Sequence, residues 1–293
     1  MQSSTRKTYN HHWAVFQNFI NNIPDAEALP ASVEHVGLFV AYLHEANYQP
    51  TTVRNYLSAI SFIHKLHNLC DPTNNFMINK AVQGSGNLHK SSKKQALLPI
   101  TETILKDIVK AVPHCVQGPY NVSLYKALFL LSFYACLRAG EAVHSTTSAH
   151  TLQFEQVQEI ETPKGIGFKI QFLSYKHSGH TQQSLVIEPL SQKYCPVRAL
   201  QNFITIRGSK KGPLFTHMSG HPLSRHDFSA TLKSCLEFKG YCSKSYNTHS
   251  FRIGRATDLA AKQTPHTIIK STGRWKSSAY QKYIRPTSFT LPS

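Results

Sequence analysis

Five places in the chain bring together side chains able to hold an anion or attack a phosphorus centre. In "ACLRAGEA", Arg138 closes a strongly apolar run, where a guanidinium is costly to bury unless it meets an anion; Glu141, three residues on, is either that partner or a bystander to a bound ligand. In "THSFRIGRA", His249 and Arg252 stand three apart on one helical face and can converge on one phosphate, although H-x-x-R by itself is a common pattern. Lys176 lies between two alternating segments, where a flexible ammonium either reaches a reacting bond or is simply solvated. Trp275 carries an indole N–H that only donates, and such a residue packs more often than it reacts. In "GRWKSSAYQKYIRP", Tyr280 and Tyr283 sit among Arg274, Lys276, Lys282 and Arg285. A core helix does not carry so many cations, and a basic tail has little use for Trp275 and Ile284, so an anion is expected beside these tyrosines.

Composition names the anion. The 293 residues carry 32 Lys and Arg against 15 Asp and Glu, a net charge of +17, well beyond the about 2 to 8 that solubility asks of a small domain. A field of that size binds and steers polyanions, with nucleic acid as the leading partner. Residues 1–98 hold eight basic and five acidic side chains, and residues 99–293 hold twenty-four and ten, so the second part does most of the work. No apolar run is long enough to span a membrane, no amphipathic helix has a clean basic face, and no signal peptide is read at the start. Six cysteines without a C-x-x-C pair argue against a zinc site or a secreted disulfide framework and read as reduced intracellular thiols. The "HH" at 11–12 and "HSGH" at 177–180 lack metal-ligand spacing and read as surface or loop histidines. No phosphate-cradling glycine loop suggests a nucleotide cofactor.

The elements that must carry these groups are mainly helical. Trp13, Phe16, Phe19 and Ile20 mark a first helix; Val36, Phe39, Val40 and Leu43 a second behind Ser32; Val53, Leu57 and Ile60 a third behind Thr51; and "NNFMINKAVQG" a fourth. Together they predict a small bundle over residues 1–88. The stretch "GSGNLHKSSKKQ" is polar and basic and reads as a linker, placed at 89–98, before a second domain over 99–293. There "LPITETILKDIVKAV" and "NVSLYKALFLLSFYACL" are helical, the latter apolar enough for a central core helix. Phe168, Ile170 and Phe172 alternate, "SLVIEPL" alternates again, and "HSGHTQQ" between them predicts a β-hairpin. Helices resume with "CPVRALQNFITI", whose Pro196 suits a first turn, and continue to the end.

The order Arg138, hairpin Lys176, "HSFR", "GRW" and a late Tyr283, behind a helical bundle and a basic linker, resembles the tyrosine recombinase (phage integrase) family along the whole chain. "YACLRAGE" resembles its first arginine box, "HSFR" its second and "GRWKSSAYQKYIR" its closing segment. "GRWKS…YIR" and "LPIT" look closest to eukaryotic mobile-element recombinases of the Ngaro, DIRS and Crypton kinds. The resemblance implies an N-terminal helical (SAM-like) core-binding bundle and an α-rich catalytic domain that close as a clamp on double-stranded DNA. It also implies a dimer on a site and a tetramer in synapsis, with no metal or other cofactor.

The resemblance also gives each residue a role. Tyr283 attacks a phosphodiester to form a 3′-phosphotyrosyl link and free a 5′-hydroxyl, so ligation needs no ATP. Arg138 and Arg252 hold the non-bridging oxygens, His249 assists proton removal, Trp275 donates to the phosphate and Lys176 protonates the leaving oxygen, while Glu141 orients the site. Lys90, Lys93, Lys94, Arg274 and Lys276 are expected to touch DNA. Two departures stand out: Trp275 occupies a position that is often His, and its distance of eight residues to Tyr283 is one shorter than is common in the family. Trp275 to Tyr280 is only five, so Tyr280 is expected to pack. Ten residues follow Tyr283, few for the docking helix of many relatives, so that link is expected to be made differently or the chain to be trimmed. Two alternatives remain, an inactive domesticated DNA-binding protein and a nicking-closing enzyme like the type IB topoisomerases. The compartment is the nucleus if the element is eukaryotic, and otherwise the cytoplasm.

Overall fold

The computed structural model of the chain describes residues 3–88, 96–144, 150–173, 183–191 and 193–285. The chain divides into two compact units, Met1–Lys94 and Gln95–Ser293.

The first unit contains α1 (Ser3–Ile20), α2 (Val33–Glu45), α3 (Pro50–Leu66) and α4 (Phe76–Leu88). Its core is the set that helical periodicity selects: Phe16, Ile20, Val36, Phe39, Val40, Leu43, Val53, Leu57 and Ile60, joined by Ile78 and Val82 of α4. Ser32 caps α2 by accepting the His35 N–H at 3.1 Å. The expected cap of α3 is displaced: α3 starts at Pro50 behind Gln49, because proline at the first position fixes φ and has no N–H to satisfy, so Thr51 lies inside the helix. Residues 84–88 belong to α4 rather than to a linker. His12, read as a surface residue, is buried against the Tyr56 ring with centroids 4.2 Å apart.

The second unit contains α5 (Glu102–Cys115), α6 (Pro119–Tyr134), the single turn α7 (Ala139–Ala142), α8 (Pro196–Arg207), α9 (Arg225–Phe238), α10 (Ser250–Ala261) and α11 (His266–Gly273). A three-stranded antiparallel sheet, in the order β1 (Val157–Thr162), β2 (Gly165–Phe172) and β3 (Gln183–Ile187), follows α7. The predicted hairpin is β2–β3, with Phe172 opposite Gln183, and its inward residues Phe168, Ile170 and Phe172 are buried. Strand β1 was not anticipated, since "VQEIET" is mostly polar and only Val157, Ile160 and Thr162 are even partly shielded at the sheet edge.

Helix α6, apolar on every face, lies at the centre of this unit's core, packed on α5, α8 and α10. The segment before α5 crosses α10 closely: Ile100 donates to the Ser250 carbonyl at 3.0 Å, and a Cβ on Gly254 would stand 1.8 Å from the Ile100 oxygen. Only glycine permits that crossing, and the crossing fixes the helix that carries His249 and Arg252. Among the described residues, no helix is long and apolar enough to cross a membrane.

Candidate active site

Two helices end at the same place. Both α6 and α11 finish on a non-glycine residue in the left-handed region, Cys136 with φ 49° and Arg274 with φ 56°. In each, the next N–H closes back five residues, Leu137 onto the Ser132 carbonyl at 3.0 Å and Trp275 onto the Lys270 carbonyl at 2.9 Å. The last carbonyls of a helix have no partner within it and carry the negative end of its dipole, so they suit cations. Two guanidiniums occupy them. Arg252, fully buried in the first turn of α10, donates to the Cys136 carbonyl at 2.5 Å and also to the Gly273 carbonyl. Arg274 donates to the Ala135 and Thr272 carbonyls at 3.1 and 3.2 Å and to the Cys136 carbonyl at 3.3 Å.

Glu141 joins this pair to Arg138. Arg138 is the N-cap of α7; its N–H meets Glu141 Oε2 at 2.9 Å and its Nη1 meets Oε1 at 2.6 Å. Oε2 also accepts Arg274 Nη2 at 2.6 Å. Burial alone would raise the Glu141 pKa, but Arg274 and Arg138 outweigh it and hold the carboxyl below its usual range. One carboxylate thus serves two arginines. No carboxylate is hydrogen-bonded to Arg252 among the described residues, and its cation is compensated by carbonyl dipoles and by the Trp275 ring, 4.2 Å from the guanidinium carbon.

Trp275, Tyr283 and His249 complete the group. The Trp275 and Tyr283 ring centroids are 5.1 Å apart, the His249 and Tyr283 centroids are also 5.1 Å apart, and the Arg252 guanidinium lies 5.5 Å from the Tyr283 ring. Trp275 turns back sharply enough that a Cβ on Gly273 would fall 1.8 Å from its ring. Its Nε1 and the Arg252 Nε are buried donors with no hydrogen-bond partner among the described residues. Burial pushes the His249 imidazole below its ordinary pKa, and the Arg252, Arg138 and Arg285 charges push it further. A neutral imidazole can take a proton from a neighbouring phenol.

Tyr280 is placed differently. It is 5% exposed, and its hydroxyl is bonded to His266 Nδ1 at 2.8 Å, whereas Tyr283 is partly exposed beside His249.

Comparison with known proteins bears on the fold. No family profile matches the chain. An integrase/recombinase XerD homologue of Selenomonas ruminantium is 25% identical over 166 residues, 54% of this chain, so the chain spans about half (46%) of that curated relative. A Tn1549 transposon integrase in complex with transposon right-end DNA superposes with a TM-score of 0.63 at 13% identity, over 99% of this chain and 91% of that one. A lambda integrase dimer bound to a COC′ core site gives 0.62 at 13% identity, over 97% and 72%. XerH bound to palindromic difH in a post-cleavage complex gives 0.59 at 15%, over 92% and 72%.

The fold is that of the tyrosine recombinases.

Within this tyrosine recombinase fold, Arg138, Glu141, His249, Arg252, Trp275 and Tyr283 converge. Lys176 lies outside the described residues, as do Lys90, Lys93 and Lys94. The strand ends flanking Lys176 are nevertheless at the site, since the Phe172 ring lies 3.9 Å from the Arg274 guanidinium carbon and Gln183 Nε2 donates to the Ser271 carbonyl at 3.4 Å. Arg274, expected to touch DNA, is corrected: its side chain is 1% exposed and its Nη atoms are bonded to four acceptors inside the protein. Lys276, next to the buried Trp275, is exposed. Two participants were not anticipated. The Cys136 carbonyl is main chain and has no side-chain signal, whereas Gly273, directly before "RW", is a visible one.

Proposed function

We propose that this chain is a site-specific DNA recombinase or integrase that cuts and rejoins DNA through a 3′-phosphotyrosyl intermediate on Tyr283. The observation that carries the proposal is the buried Arg252 guanidinium, which among the described residues has no hydrogen-bonded carboxylate, beside the Trp275 Nε1, which has no partner among them either, and the ring of Tyr283. Burying donors and a charge in this way is unfavourable unless an anion completes them, and a phosphodiester supplies oxygens for both. The three solved structures compared above contain transposon right-end DNA, difH DNA and a lambda core site, which supports DNA as the partner.

In this reading Arg138 and Arg252 hold the non-bridging oxygens, Trp275 donates to one of them, and His249 accepts the phenol proton as Tyr283 attacks. The bond to the 5′-oxygen breaks, and Lys176 returns a proton to it. Ligation reverses the sequence. The two arginines take the electrostatic part that a metal ion plays in many phosphoryl transfers. A mobile-element context, with a dimer on each site and a tetramer in synapsis, follows from the same reading. The eukaryotic Ngaro, DIRS or Crypton kind, and with it the nucleus, is the finest step and rests on "GRWKS…YIR" and "LPIT".

The test uses duplexes selected from a randomised pool by binding, nicked at tiled positions so that the cleaved end departs, in EDTA without ATP. A covalent adduct mapped by peptide mass to Tyr283, lost in Tyr283→Phe and kept in Tyr280→Phe, is the expected result. An adduct on Tyr280 overturns the nucleophile. Tight binding with no adduct on any duplex favours a DNA-binding protein, and relaxation of supercoiled DNA at undefined sites favours a nicking-closing enzyme.

A further inference from the structure

Residues 278–283 form a short 3-10 helix, whose i to i+3 bonds are too poor to hold a reactive side chain in register unaided. The anchor is Thr257 on α10, a side chain that none of the sequence motifs includes and that is 6% exposed. Its hydroxyl donates to the Tyr283 carbonyl at 3.3 Å and accepts the Arg285 N–H at 3.1 Å. The hydroxyl's one donor and one of its acceptor positions are therefore used on the chain either side of Ile284.

Among the described residues, Thr257 is where the main chain of residues 281–285 is hydrogen-bonded to another element. The remaining bonds there are local, from the Ile284 N–H to Gln281 and from Arg285 Nη1 to the Lys282 carbonyl. Thr257 shares α10 with His249 at its N-cap and Arg252 in its first turn. It stands about 7.5 Å further along the axis than Arg252, at 1.5 Å per residue.

We propose that Thr257 is a positioning residue that fixes Tyr283 to the helix holding His249 and Arg252, so that nucleophile, base and phosphate clamp move as one body. The inference rests on the proposed function, in which Tyr283 attacks a phosphodiester. In-line attack needs the reacting atoms about 3 to 3.5 Å apart, and a displacement near 1 Å costs on the order of 100-fold. Loss of the two bonds is thus expected to act on the chemical step and to leave DNA affinity alone.

The experiment measures adduct formation at saturating nicked duplex for wild type, Thr257→Val and Thr257→Ser, with Kd for the same duplex. Thr257→Val keeps the shape and removes both bonds; it is expected to slow adduct formation by about 10- to 100-fold with Kd within about twofold. Thr257→Ser keeps both bonds and is expected to restore most of the rate. A valine variant as fast as wild type, or a serine variant as slow as valine, overturns the proposal. If Thr257→Val does not fold, amide exchange of wild-type protein decides: an Arg285 N–H protected relative to Lys282 supports the anchor, and an unprotected one overturns it. Absence of any wild-type adduct on Tyr283 is a failure of the proposed function itself, distinct from these outcomes.

Discussion

At the scale of single residues, the site is a problem of holding three guanidiniums close together. Arg138 and Arg274 share one carboxylate, and the helix-end carbonyls of α6 and α11 supply the remaining compensation, including that of Arg252. Glu141→Gln removes the carboxylate charge that Arg274 and Arg138 share. Breaking a buried pair in this way is expected to cost about 3 to 5 kcal/mol, read by denaturant unfolding at pH 7. Because the Glu141 pKa is lowered from about 4.5, its contribution is present above that value and is lost as pH falls through the folded-state value. The stability gap between wild type and Glu141→Gln is therefore expected to close in acid. His249 behaves in the opposite sense. Its folded-state pKa lies below 6.5, so the native state binds fewer protons than the unfolded chain and loses stability as pH falls below 6.5. For the same reason kcat/KM for adduct formation should hold steady down to pH 6.5 and decline only below it; a midpoint above 6.5 would contradict a neutral resting imidazole.

At the scale of elements, α10 is the part on which position depends. It presents His249 and Arg252 at its start, and it is pressed against the Leu98–Ile100 segment through Gly254. In Gly254→Ala the new methyl meets main chain, which cannot rotate away, so α10 must shift. The expected result is a loss of about 1 to 3 kcal/mol in stability and a larger fall in adduct formation than in DNA affinity. An unchanged melting temperature would show that the crossing is looser than it looks. Periodicity and capping made most helices legible, as Ser32 and the Val36–Leu43 face of α2 illustrate. Strand β1 was not legible, because a half-exposed edge strand needs few apolar residues and takes its conformation from pairing with β2.

For the whole molecule, the charge of +17 concerns encounter more than chemistry. If the basic excess binds duplex phosphates, six or more contacts should weaken binding by at least about 1,000-fold between 50 and 200 mM salt, measured by fluorescence anisotropy. A flat salt dependence would remove the phosphate-binding reading of that charge. Arg274 contributes to the net charge without being available at the surface, so counting cations along "GRWKSSAYQKYIR" overstates what DNA can meet there.

The sequence by itself determined the helical bundle of the first unit, the central apolar helix, the β2–β3 hairpin and the order of the chemically able side chains. These follow from periodicity, capping and side-chain chemistry, all expressed within a turn or two of chain. Only the tertiary structure decided which tyrosine is tied down by His266 and which lies beside His249, and that Arg274 turns inward. It alone set Thr257 against the chain around Tyr283. Those outcomes depend on partners beyond the local turn, 14 residues away for Tyr280 and His266, 26 for Tyr283 and Thr257 and 133 for Arg274 and Glu141. A buried cation takes whichever acceptors folding brings to it, and local pattern carries no record of them.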